Sequence, residues 1–261
     1  MANQNLLVIT GDRLPHKYFV NQLSNHFKLS AVFIETVQYS TLNLNSEKGK
    51  KIWNEFFLNR QKTEESLLRF SDTKNQQIST KKFTIKRGAL NKNKTLEHIQ
   101  DFNPAKIIIF GTSLLGSKYL KLYPNRILNL HVGLSQYYRG SFCNFWPIHD
   151  LKPQLLGATV HFVSNGIDDG NIVVQKTIDL DKNDSVYILI TKPIILGTKL
   201  MIEAIKDPNS ELTRNEKIKI KGKLSQIKDF NPKAILKVTN LASSGELKNK
   251  IELENVKTKK P

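Results

Sequence analysis

Asn129 and His131 stand two residues apart at the end of the apolar run ILNLH, residues 127–131, just before the chain turns through Gly133. Strand side chains alternate between faces, so this spacing aims an amide and an imidazole one way while Leu130 points the other. Ligands of an open α/β sheet sit at the carboxyl ends of its strands, where such a pair would meet them. The alternative is structural: Asn129 satisfies a neighbouring loop and His131 is half-buried in packing. A second chemical signal is the turn GIDDG, residues 166–170. An inward Asp168 beside His131 would raise the imidazole's pKa and fix its orientation. A calcium loop would need a longer alternating run of ligands. Ser135 with His131 and an aspartate has the composition of a hydrolytic triad, but no G-x-S-x-G elbow presents the serine. His149 and His161 do not have zinc-ligand spacing. GDRLPHK, residues 11–17, lacks both Walker A and dinucleotide-binding glycines.

The elements around these residues read as α/β. NLLVIT at 5–10, a helix over 15–27 and LSAVFIE at 29–35 follow the strand–helix–strand rhythm of a parallel sheet. One or two amphipathic helices are expected over 46–70 and a loop over 71–79. A short helix over 95–100, the strand KIIIF at 106–110, a helix over 113–121 and the strand at 127–131 continue the pattern. GATVHFVS at 157–164 and NIVVQKTIDL at 171–180 read as a hairpin. A helix follows from Asp184, with Pro193 either near its start or at a kink. Residues 218–241 have the pattern of two short strands and a helix, and about the last ten residues are expected to fray. The predicted architecture is a Rossmann-like, mostly parallel sheet with helices on both faces, plus a hairpin. Residues 1–205 form the domain, and 206–261 a small appendage.

Composition narrows the class. With 261 residues, 39% hydrophobic and 24% charged, the chain can bury a large core without metal or disulfide. The single cysteine, Cys143, cannot form an internal bridge. No apolar run reaches the roughly 20 residues of a membrane span. The N-terminus lacks a basic-then-apolar leader, so the expected location is cytoplasmic. A net charge of +17 favours an anionic partner, although lysines spread over every surface would give the same sum. The densest basic stretch is KKFTIKRGALNKNK, residues 81–94.

NLHVGLSQYYRG, residues 129–140, followed by GATVHFVSNGIDDGNIVVQ, residues 157–175, resembles the signature of the folate-dependent formyltransferases. These include the glycinamide ribonucleotide, methionyl-tRNA and sugar-nucleotide N-formyltransferases. The resemblance implies formyl transfer from N10-formyltetrahydrofolate, a co-substrate, to a primary amine. Its polar triad falls on Asn129, His131 and Asp168, with Asp169 the near alternative. In that chemistry the Asn129 amide N–H and a protonated His131 would stabilise the oxyanion. Asp168 would keep the imidazole charged and accept the amine's proton, with no metal. The resemblance also assigns the run Gly111, Thr112, Ser113, Leu114, Leu115 and Gly116, together with Asp168, to the folate.

The form HVGLSQYYRG and then NFW at 144–146 is most similar to the sugar-nucleotide members. That implies a nucleotide-linked amino deoxysugar as acceptor, a role in lipopolysaccharide O-antigen biosynthesis and a possible homodimer. Arg13, Lys17 and Arg139 are candidates for its phosphates, and Tyr137, Tyr138 and Trp146 for stacking on base or sugar; each has an ordinary surface or packing role as its alternative. Two departures stand out: the family's Pro-Ser after the histidine is Val132-Gly133, and its Leu-Pro is Ser135-Gln136. The other readings are a methionyl-tRNA or glycinamide ribonucleotide enzyme, and a non-catalytic nucleotide- or RNA-binding protein on this fold. Neither a membrane nor nucleic acid is the expected partner.

Overall fold

A computed structural model of the chain describes residues 5–36, 46–69, 80–206, 217 and 221–258. The predicted loop over 71–79 lies outside them. The first half alternates strand and helix: β1 (Leu6–Gly11), α1 (Leu14–Ser24), β2 (Leu29–Glu35), α2 (Glu47–Leu67), β3 (Lys81–Ile85), α3 (Asn93–Gln100), β4 (Lys106–Phe110), α4 (Ser117–Leu122) and β5 (Ile127–His131). There follow β6 (Tyr138–Gly140), α5 (Trp146–His149), β7 (Gly157–Phe162), β8 (Ile172–Thr177), α6 (Val186–Lys206), β9 (Lys223–Ser225), α7 (Pro232–Ser243) and α8 (Glu246–Thr258). Seven strands form one sheet in the order β3-β2-β1-β4-β5-β7-β8, and β6 and β9 form a separate parallel pair. β3 through β5 are parallel, whereas β7 and β8 run antiparallel at the edge.

The strand sequences explain the layering. Leu6 and Val8 of β1 join one core with Phe19 and Leu23 of α1 and Ile194 and Met201 of α6. Leu7 and Ile9 join the opposite core with Ile99 of α3 and Tyr119 of α4. Covering both faces is why these strands are continuously apolar. The hairpin over 157–180 is present as β7 and β8. Pro193 lies inside α6. Residues 46–67 make a single helix started by Ser46, whose hydroxyl accepts from Gly49 N–H at 3.1 Å.

Two expectations are corrected. The predicted helix over 113–121 is confined to 117–122, because the chain before it gives its amides to side chains instead. Residues 252–258, expected to fray, are helical in α8, and 259–261 lie outside the described residues. Leu247 and Ile251 of that helix are buried. They belong to a third core in which Phe230, fully buried, stacks on Phe142 with ring centroids 4.0 Å apart and meets Phe145 and Phe56 edge-on. This aromatic knot fastens the C-terminal segment to α2 and the turn before α5.

Candidate functional site

Parallel pairing of β4 with β5 brings the chain leaving Phe110 beside His131, at the carboxyl edge of the sheet. Antiparallel pairing of β5 with β7 sets Asn129 opposite His161, and His131 opposite Thr159. The turn between β7 and β8 returns Asp168 over the same edge, where it holds a left-handed backbone (φ 47°). Aspartate tolerates that conformation better than most residues.

The three predicted residues meet there. Asp168 Oδ2 lies 3.3 Å from His131 Nδ1 and accepts from Gly140 N–H at 2.9 Å. Its Oδ1 accepts from Asn129 Nδ2 at 3.2 Å and stands 3.4 Å from His161 Nε2. The proton positions follow from the acceptors. The Phe162 carbonyl, 2.8 Å from His161 Nδ1, fixes a hydrogen there, so Nε2 of the neutral ring accepts from Asn129 Nδ2 at 3.0 Å. Both amide hydrogens of Asn129 are thereby committed inside the cluster, and its uncommitted atom is Oδ1. The Tyr138 carbonyl, 3.0 Å from His131 Nε2, likewise requires a hydrogen on that nitrogen. A second proton, on Nδ1, would point at Asp168.

Burial pulls His131 below the ordinary imidazole value, against the raising effect of Asp168. Burial alone would raise Asp168, yet His131 and the Gly140 N–H are among the groups that outweigh it and hold the carboxyl well below the usual range. The carboxylate is the fixed charge of the pair, because the Gly140 N–H and the Asn129 amide support it independently of the His131 proton. His161 is the residue that sequence reasoning passed over. Its available signal was the alternation in GATVHFVS, which puts Thr159 and His161 on one face, but only the strand register sets that face beside Asn129. Asp169 faces elsewhere, to Lys221 Nζ at 2.7 Å and to the Ser164 hydroxyl. Ser135 is fully buried and its hydroxyl has no hydrogen-bond partner among the described residues, so Ser135 is not presented to solvent as a nucleophile.

The run 111–116 is held by two residues not anticipated. Glu35, fully buried at the end of β2, accepts from Ser113 N–H at 2.6 Å, Ser113 Oγ at 2.5 Å and Gly88 N–H at 3.1 Å. Asn91 accepts from Gly116 N–H at 2.7 Å and donates to the Leu114 carbonyl at 2.8 Å. These bonds keep Ser113–Gly116 out of helix and leave Leu114 63% exposed. Gly111 has φ 68°, and a Cβ there would sit 2.2 Å from His16 Nε2, so only glycine fits. His16 itself accepts from Arg13 N–H at 3.2 Å.

The remaining predicted residues are dispersed. Arg13 and exposed Lys17 sit at the start of α1, beyond the carboxyl end of β1. Tyr137 is exposed. Tyr138 is buried, its hydroxyl 3.2 Å from Asp150 Oδ2. Arg139 ties down two neighbouring segments through the carbonyls of Ile167 and Gly222, each at 3.0 Å. Trp146 is buried and donates to the Ser141 carbonyl at 2.8 Å. Among the described residues, no group of three His, Cys, Asp or Glu side chains is placed to hold a metal ion, and no helix is long and apolar enough to cross a membrane.

A family model described as formyl transferase matches residues 38–205, which include the whole cluster. The chain belongs to the formyl transferase family. Methionyl-tRNA formyltransferase of Desulforamulus reducens is 29% identical over 114 residues, which are 43% of this chain and 36% of that protein. Formyltetrahydrofolate deformylase of Haemophilus influenzae is 28% identical over 86 residues, 33% of this chain and 31% of that one. The chain thus aligns with only about a third of each of these curated relatives' length. Among solved structures, a sugar N-formyltransferase from Shewanella superposes with a TM-score of 0.55 at 17% identity, covering 87% of this chain and 78% of that one. Phosphoribosylglycinamide formyltransferase from Anaplasma phagocytophilum gives 0.56 at 14% identity, covering 78% and 86%. At these identities the chain shares the fold of both, and the fold does not decide the acceptor.

Proposed function

We propose that this chain transfers a formyl group from N10-formyltetrahydrofolate to the primary amine of a nucleotide-linked amino sugar, with residues 1–205 as the catalytic unit and 206–261 as an appendage. The observation that carries the reading is the buried Asn129–His131–Asp168 cluster, at a strand end beside the run 111–116. That run fits a flat heterocycle. Its backbone is held out of helix by Glu35 and Asn91, and its apolar Leu114 is turned outward. When bound, the donor supplies the activated formyl carbon. His131, protonated on both nitrogens with Asp168 as counter-charge, would place positive charge near the oxygen that becomes negative.

With its amide nitrogen turned toward His161 and Asp168 at rest, Asn129 is assigned in this proposal to accept from the attacking amine through Oδ1 and aim the nitrogen lone pair. The amino-sugar acceptor rests on the sequence form around residues 131–146, and nothing in the geometry selects it over tRNA. Incubation with N10-formyltetrahydrofolate and panels of nucleotide-linked amino sugars, glycinamide ribonucleotide and charged initiator tRNA, followed by mass analysis, tests the proposal. One sugar should gain the mass of a formyl group, and His131→Ala should abolish the gain with the fold intact. Formylation of the tRNA alone would move the acceptor, and absence of any product would overturn the reading.

A further inference from the structure

A second concavity lies away from the catalytic cluster, between α5, β9 and the start of α7. It is a cavity of about 610 Å3, lined by Lys223, Lys228, Lys233 and Lys237 around Trp146 and nearly buried Ser225. The volume is within the roughly 300–1,000 Å3 range of small-molecule sites. Its charge is arranged against the stability of the empty protein. Lys233 and Lys237 are four residues apart on α7, where like charges repel. They also occupy the first turns of a helix that has no acidic residue there, at the end where the helix dipole is already positive.

Local carboxylates do little to balance this. Asp229 is the one acid in the wall, and its Oδ2 is taken by Gln226 N–H at 2.8 Å. Lys223 Nζ stands 3.9 Å from Asp150 and 5.8 Å above the Trp146 ring. Among the described residues, no carboxylate is within ion-pair distance of Lys228, Lys233 or Lys237. An anion with several oxygens would relieve the repulsion and engage ammonium groups from β9, the turn after it and α7 together.

We propose that this cavity binds a phosphate-bearing small molecule through its phosphate oxygens. The site is distinct from the catalytic cluster but is joined to it through the β6–β9 pair. Ser225 of β9 pairs with Gly140 of β6, whose N–H holds Asp168. The inference does not rest on the formyl-transfer reading, since binding is measured directly.

The test is calorimetric titration of the full chain with pyrophosphate and with UDP at low and moderate salt. Both should bind saturably. Tighter UDP would identify a nucleotide, and equal affinity a free anion, as the source of the phosphate. Lys233→Gln/Lys237→Gln should weaken both by about tenfold or more, while raising the melting temperature without ligand because the like-charge pair is gone. His131→Ala, and Lys81→Gln/Lys82→Gln on exposed β3, should bind as wild type. Four results would overturn the proposal: no saturable binding; equal weakening in the β3 variant, meaning diffuse charge; loss in His131→Ala instead, meaning the catalytic cleft; or tighter binding of a short RNA through the same lysines.

Discussion

Replacement of Glu35 is the sharpest probe of how this molecule builds its site. The carboxylate is fully buried, receives three hydrogen bonds and, among the described residues, has no cation in ion-pair contact. In Glu35→Gln, one oxygen becomes an NH2 group facing either Ser113 N–H or the Ser113 hydroxyl and Gly88 N–H. At least one charge-assisted bond of about 1.5–3 kcal/mol is lost, and a donor is turned toward a donor. Ser113 is partly exposed, so water recovers some of that loss. A net destabilisation of about 2–4 kcal/mol is expected, a fall of about 5–15 °C in melting temperature. If the run 111–116 seats the formyl donor, its KM should rise by about tenfold or more for each 1.4 kcal/mol of lost positioning. The acceptor's KM should change little. Thermal melts and steady-state kinetics with each substrate varied in turn make the measurement. Unchanged stability together with an unchanged donor KM would refute the idea that Glu35 holds this run in place.

Two further outcomes follow from buried contacts. His16 has its pKa pushed down to about 4, chiefly by burial, with Arg13 and Arg60 acting the same way and Asp12 opposing. Below the ordinary value near 6.5 the unfolded chain takes up a proton that the native state refuses until about pH 4. Stability should therefore fall over that window by up to about 3 kcal/mol, and urea melts of His16→Gln should show a shallower decline than wild type. Gly140 has φ 87°, and a Cβ there would lie 2.3 Å from the Ser225 carbonyl. Gly140→Ala should cost about 1–3 kcal/mol, part β6 from β9 and displace the N–H that holds Asp168, so formyl transfer should drop more steeply than stability; wild-type turnover in this variant would sink that link.

The sequence by itself determined the layers of this protein and the first half of its site. Strands apolar on both faces, such as LLVIT, have to lie inside a sheet covered on both sides, and helix periodicity supplied the cover. The two-residue period was enough to put Asn129 and His131 together, and the quoted blocks were enough to name Asp168, because these are properties of neighbouring residues and short motifs. What tertiary structure decided depends on residues far apart in the chain. Register across β5 and β7 alone set His161 opposite Asn129, with its Nε2 3.0 Å from the amide nitrogen. Glu35 reads in sequence as the polar end of a strand; only the crossing of 111–116 over β2 makes it a buried anchor 78 residues away from Ser113. Arg139 and Trp146, chosen for their chemistry, were drawn into neighbouring backbone carbonyls instead. Local patterns fix which face a side chain takes, and long-range packing fixes which partner it meets there.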